Sequence, residues 1–229
     1  MAGIEVLVER LVQDWESRIR QGLDSLRAPT TADIRSVRRE FSKQLKGMPA
    51  DFVVRLALHL LKHEQHVPRF LSYELVQHHR DAARSLNSGK LKSLGAGIAS
   101  WGAVDTFACY LAGPAWREGQ VPDSLISRWA REKDRWWRRA AVVSTVALNN
   151  KARGGKGDVD RTLRICRLVV ADRDPMVVKA LSWALREASK RDSAAVKEFL
   201  TENRDALAPL VVREVNNKLR TGLKNPRSQ

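Results

Sequence analysis

Trp101 and Asp105 stand four residues apart in the stretch Ser100-Trp101-Gly102-Ala103-Val104-Asp105. On a helix that spacing puts a flat indole and a carboxylate on one face. The pair is suited to a developing cation, which the carboxylate meets by charge and the indole by its quadrupole. Two further stretches carry similar chemistry: Arg135-Trp136-Trp137-Arg138-Arg139 and Ser182-Trp183-Ala184-Leu185-Arg186-Glu187. From Arg128 to Arg139, basic residues interleave with Trp129, Trp136 and Trp137. Such a mixture offers fixed charge for phosphate and flat faces for bases and sugars. It also fits a charged helix whose tryptophans are core, which is the expectation for Trp129 and for one of Trp136 and Trp137. Arg139 precedes the apolar run Ala140-Ala141-Val142-Val143. A semi-buried arginine needs an anion, and Asp105 or a phosphate would serve. The three stretches are expected to converge on one concave basic surface, with Asp105 its one deliberate negative charge. The plainer reading of Asp105 is a structural partner for an arginine.

Other chemistries find less support. His59 and His63 have helical zinc-ligand spacing, and His66 follows. The run His63-Glu64-Gln65-His66 is one residue short of HExxH, and no cysteine or second carboxylate evidently joins it. These histidines are expected on the solvated surface, with no metal. His78-His79, beside Arg80, reads as a polar or phosphate-facing helix face. Gly154-Gly155-Lys156-Gly157 follows no strand and lacks Walker spacing, so it reads as a flexible loop whose Lys156 touches a phosphate backbone. No GxSxG or dinucleotide fingerprint occurs, and no cofactor is expected.

Composition speaks to the partner. The formal net charge is +15 over 229 residues. Nucleic acid is the first candidate, because each phosphate contact releases counterions. An acidic protein or an anionic membrane surface is the alternative. Hydrophobic residues make up 43% of the chain, enough for a substantial core. No run of eighteen apolar residues is present, so no membrane span is expected. Met1-Ala2-Gly3-Ile4-Glu5 does not read as a signal peptide. Cys109 and Cys166 lack CxxC spacing and are expected as reduced thiols of an intracellular protein.

The elements that must position these residues read as helices. Ile4, Leu7, Val8, Leu11, Val12, Trp15 and Ile19 form one helical stripe. Ala28-Pro29-Thr30-Thr31 breaks it, and Thr30 or Thr31 caps a second helix that stops at Gly47-Met48-Pro49. A third helix carries Phe52 to Leu61, and a fourth begins after Pro68. Asn87-Ser88-Gly89 is a turn before a short helix. Gly95 and Gly97 separate that helix from the one bearing Trp101, which Gly113-Pro114 ends. Pro122-Asp123 opens another. Trp136 to Leu148 reads as one central buried helix, and Asn149 to Gly157 as a flexible basic loop. Helices follow around 163–170, 177–188, 194–200 and 207–219. No strand pair is evident. The fold expected is all-α, a helical-repeat solenoid with a concave basic face, an ordinary bundle being the alternative. Residues 1–222 are expected as one domain and 223–229 as a loose tail.

Trp101-x-x-x-Asp105, Trp136-x-x-Arg139 and Ser182-Trp183-x-Leu185-Arg186-Glu187, in that order, resemble the AlkD-like DNA alkylation repair glycosylases, which are built of HEAT-like repeats. The resemblance runs from about Pro29 to Leu219. It implies a monofunctional enzyme that excises cationic N3- or N7-alkylated purines, such as 3-methyladenine, 7-methylguanine or bulkier adducts, from double-stranded DNA, with action as a monomer the simpler expectation. Asp105, Trp101 and Trp183 would be catalytic and Arg139 a phosphate contact. Arg138, Arg135, Lys156 and Arg186 complete the expected DNA-binding set. A cytoplasmic location follows, at the nucleoid at most. The segment Ser17 to Ala28 departs from the family pattern, and Asn149 to Gly157 reads as an insertion. Two alternatives stand: a catalytically silent HEAT-like DNA-binding protein, and a helical-repeat scaffold for an acidic protein partner.

Overall fold

The computed structural model describes residues 2–63 and 67–226, with side chains from residue 5. His66 and residues 227–229 lie outside the described residues. Among those described, helix is the only regular structure. No helix among them is long and apolar enough to cross a membrane. The chain divides into two compact units, Met1–Ala96 and Gly97–Gln229.

In the first unit α1 (Ala2–Asp24) buries Val12, Trp15, Ile19 and Leu23, a stripe at helical spacing. Thr30 caps α2 (Thr31–Leu45) through a capping box: its side chain accepts from the Asp33 N–H, and the Asp33 carboxylate accepts from the Thr30 N–H at 2.9 Å. The next helix, α3 (Ala50–Leu61), is apolar nearly all round and therefore central. Against it pack α1, α4 (Arg69–Gln77), α5 (Arg80–Arg84) and α6 (Ser88–Leu94). Trp15 meets Phe41 and Phe52 edge-on, with centroids 6.0 and 6.4 Å away, and so joins α1 to α2 and α3.

The second unit begins with α7 (Trp101–Phe107). It continues through a π-helical turn, Ala108–Ala112, into α8 (Gly113–Arg117). The end expected at Gly113-Pro114 is therefore not there. Proline costs a helix one donor and clashes with the carbonyl four residues back. A widened turn just before it relieves both. Gly113 serves close packing: a Cβ there would lie 2.6 Å from the Ala147 Cβ and from the Ser144 carbonyl oxygen.

After α9 (Asp123–Trp129), the single buried helix expected over 136–148 is two pieces, α10 (Arg135–Ser144) and α11 (Val146–Asn149). The Ser144 and Thr145 hydroxyls donate back to the Ala140 and Val142 carbonyls at 2.7 and 2.6 Å. Such back-bonding bends a helix. The segment 149–157, expected to be flexible, is instead a 3-10 turn tied down on several sides. Gly157 N donates to Leu148 O at 2.9 Å, Arg117 Nη1 to Arg153 O at 2.7 Å, and Arg191 Nε to Asn149 O at 2.7 Å. A Cβ at Gly155 would stand 2.8 Å from Ala147 O, so glycine there permits contact, not motion.

The remaining helices are α12 (Val159–Leu168), α13 (Pro175–Ala188), α14 (Ser193–Glu202) and α15 (Pro209–Thr221). Within this unit α7, α10, α13 and α15 pack one upon the next, while α12 packs on α9 and α14 as a second row. Helices stacked in this way are the all-α repeat arrangement expected. Past α15, Lys224 Nζ reaches Glu214 Oε1 at 3.2 Å.

Close packing at Gly113 has a measurable consequence. Gly113→Ala should destabilise the protein by about 1–3 kcal/mol, as overpacking does. Gly102→Ala should leave stability equal or higher, because nothing lies within 4 Å of its added Cβ. Denaturant midpoints of the two variants make the comparison.

Candidate functional site

Ser100 fixes where α7 begins. Its hydroxyl accepts from the Ala103 N–H at 3.3 Å. Trp101 is then the first helical residue, and its side chain is left 63% exposed. Val104 and Phe107 bury completely on the other side of α7. Asp105, one turn above Trp101, retains 19% of its side-chain exposure.

Arg139 comes to Asp105 from α10, whose start Asp134 caps by accepting from the Trp136 N–H at 2.8 Å. The arginine is 6% exposed. Its Nε donates to Asp105 Oδ1 at 2.9 Å and its Nη2 to Oδ2 at 2.8 Å, a bidentate pair. Its Nη1 donates to the Met176 carbonyl in the first turn of α13. One guanidinium therefore joins α7, α10 and α13, the helices that carry the three sequence stretches.

The charge of Asp105 is contested. Burial pushes its carboxyl above the ordinary range, while the hydrogen bonds and charge of Arg139, and then the charge of Arg153, pull it back. Arg153 stacks over the Tyr110 ring at 5.2 Å. Neither residue was singled out in the sequence. Arg153 lies in the tied-down 149–157 segment and Tyr110 in the π-turn, so no helical spacing links them to Asp105.

The Ser182-to-Glu187 stretch divides by role. The buried Ser182 hydroxyl donates to Glu214 at 2.6 Å, and Leu185 is core. Arg186 Nε donates to Ser182 Oγ at 3.3 Å and lies 3.9 Å from Glu214. Burial pushes its guanidinium down, and Glu214 and Glu187 hold it up. Glu187 accepts from Lys190 at 2.6 Å and Asn150 at 3.3 Å. Trp183 is only partly buried, two turns past Met176 on α13. Lys179, four residues before Trp183 on the same face, is exposed and was missed in the sequence, where the spacing to Trp183 was the available signal.

The other expected cations are differently placed. Arg138 donates to Asp172 at 2.6 Å and to the Lys133 carbonyl at 2.7 Å. Arg135 lies 3.5 Å from Asp174 and stacks on Trp136 at 4.8 Å. Lys156 is exposed and enters no ion pair among the described residues. Asp105 is thus not the sole carboxylate among these cations. Asp172, Asp174, Glu187 and Glu214 lie among them too, because Asp174 caps α13 and the others tie loops and helices together. Trp129 is core, as expected, and packs with the buried Phe107 and the half-buried Trp137, with ring centroids 4.8 to 6.1 Å apart.

The histidine expectations need correction. His59 is not a solvated surface group: its side chain is 13% exposed and its Nε2 lies 2.8 Å from Glu16 Oε2, brought from α1. The sequence could not show that docking. His79 is buried and caps α5, its Nδ1 accepting from the Ala82 N–H at 3.1 Å. Burial, and after it Arg38, pushes the neighbouring His78 below the ordinary imidazole range. Both cysteines are buried and unpaired, and burial pushes each thiol up to about 12, which makes it unreactive.

A family model described as DNA alkylation repair enzyme matches residues 7–219. No curated protein matches the chain.

The exposures imply unequal stability effects for two site residues. Arg139→Ala strands a mostly buried carboxylate and should cost about 3 kcal/mol. Trp101→Ala, at an exposed position, should stay within about 0.5 kcal/mol of the parent. Equilibrium unfolding in urea measures both.

Proposed function

The chain belongs to the DNA alkylation repair enzyme family, and from that premise we propose that it is a DNA glycosylase that removes cationic N3- or N7-alkylated purines from double-stranded DNA. Its role in the repair of alkylated DNA comes with the family. The observation that carries the finer reading is the carboxylate of Asp105, partly exposed, clamped by Arg139 and one turn from an exposed indole.

The chemistry follows from the substrate's charge. A purine alkylated at N3 or N7 is cationic and departs neutral, so no general acid is required. Positive charge instead builds on the deoxyribose as the glycosidic bond lengthens. Asp105 is the group to meet it and to orient the attacking water. A bidentate arginine fixes the carboxylate in place, so little reorganisation is needed when charge develops. The indoles of Trp101 and Trp183 would add cation–π attraction of about 1–2 kcal/mol each where desolvated. A shallow face of this kind does not need to enclose the base and would tolerate bulky adducts. The reaction as proposed uses no cofactor.

DNA is the partner, and the chain acts on it as a monomer in the cytoplasm. A guanidinium offers five N–H donors. Arg139 spends three positions on Asp105 and Met176, and the rest are for a phosphate. Arg135, half exposed, can exchange Asp174 for a phosphate. Arg138 and Arg186 act from within their ion pairs, and Lys156 directly. One observation favours a second reading: the Asp105–Arg139 bridge would serve equally as a structural joint in a catalytically silent DNA-binding protein.

Single-turnover release of 7-methylguanine and 3-methyladenine from methylated duplex separates the two. Asp105→Asn should bind duplex as the parent does and lose about 100-fold or more in release rate. No release by the parent chain would favour the silent reading. The acid side of the pH profile is a further check. Because burial raises the Asp105 carboxyl, it protonates, and activity falls, at a higher pH than for an ordinary carboxylate. Arg139→Lys, which weakens the opposing pull, should move that limb higher still.

A further inference from the structure

The first unit contains a cluster that DNA repair chemistry does not use. His59 lies in the last turn of α3, and His63 follows one turn on, its N–H donating to Leu60 O at 3.0 Å. Their ring centroids are 5.5 Å apart. Between them α1 inserts Glu16, with Oε2 2.8 Å from His59 Nε2 and Oε1 3.6 Å from His63 Nε2. One donor atom from each residue falls within 4.8 Å of the others. We propose that Glu16, His59 and His63 form a site for one zinc-class divalent ion that fastens α1 to α3.

The donor geometry needs little change. Ligand bonds of about 2.0–2.1 Å in tetrahedral array put donor atoms roughly 3.4 Å apart. The two carboxylate–imidazole separations, 2.8 Å to Oε2 and 3.6 Å to Oε1, bracket that spacing, and all three donors lie within 4.8 Å of one another. Imidazole with carboxylate suits zinc, whereas calcium and magnesium want all-oxygen sets. Glu16 is 7% exposed, and a carboxylate so placed requires cationic or hydrogen-bonding partners. Arg20, which now lies 3.5 Å from it with its side chain 36% exposed, would turn to solvent when the ion enters.

A second carboxylate stands where an outer partner belongs. Glu9 Oε1 lies 3.7 Å from His59 Nδ1, the ring nitrogen opposite the one facing Glu16. Metal-bound imidazoles commonly give their other N–H to such a carboxylate, which fixes the tautomer. His63, with its side chain 36% exposed, leaves the cluster open to solvent, from which a water can serve as fourth ligand. The competing account is a plain Glu16–His59 hydrogen bond. The two differ at His63, which a hydrogen-bonded pair hardly needs and an ion requires.

The test uses the full chain without a histidine tag, stripped by chelator and titrated with zinc chloride in a calorimeter, with cobalt absorption as an optical report. Binding of one ion per chain is expected, with a thermal midpoint that climbs as zinc is added. His63→Ala should abolish both effects. Its side chain is 36% exposed, so the variant should fold, which circular dichroism checks. Glu9→Gln should weaken binding about 10–100-fold. An absence of saturable binding, or binding that His63→Ala leaves unchanged, would overturn the proposal.

Discussion

The guanidinium of Arg139 holds the second unit's central helices to one another. Removing two opposite charges from water costs several kcal/mol for each. That cost is offset only when geometry is close and the remaining polar atoms find partners. Arg139 meets both conditions with a bidentate carboxylate and a main-chain carbonyl. Each partner comes from a different helix, so the alignment of α7, α10 and α13 is coupled to one ion pair. The same contact favours the charged form of a carboxylate where burial disfavours it. Structural and chemical roles of Asp105 therefore rest on one set of atoms. Arg153, stacked on Tyr110, reinforces the charge without entering the pair.

The chain's excess of positive charge is spent unevenly. Arg138, Arg139 and Arg186 have carboxylate partners and set local architecture. Exposed groups such as Lys156 and Lys179 carry field outward. A polyanion would meet the exposed groups first, and they govern how steeply binding falls with salt. In the proposed complex the paired arginines would orient what has already docked. Near them Asp105 is a carboxylate already paired with Arg139, and the proposed reaction would place a second cation beside it. In that reaction an alkylated deoxynucleotide losing its base would provide it.

Sequence spacing revealed the parts that depend on local periodicity. Trp101 and Asp105 share a face because helical pitch requires it, and the apolar run after Arg139 announced a buried charge in need of an anion. A cap at Thr30 or Thr31 followed from residue type and position, and Thr30 is the one that caps. What spacing could not show was tertiary. Glu16 reaches His59 only because α1 lies against α3. The glycines of 149–157 looked like flexibility because glycine serves both motion and close approach, and only the contact at Ala147 O tells the two apart. Gly113-Pro114 looked like a stop because a π-turn has no residue signature strong enough to outweigh a proline.

The central claim is that a fixed carboxylate meets charge on the sugar while the lesion itself supplies the leaving-group activation. The most direct measurement compares single-turnover excision of a cationic and a neutral lesion, 7-methylguanine and uracil, placed in the same duplex sequence. Rapid release of 7-methylguanine with uracil left intact is the expected result. Uracil released at a comparable rate would contradict the claim, because a neutral base cannot leave without the acid or base pocket that this chemistry does without.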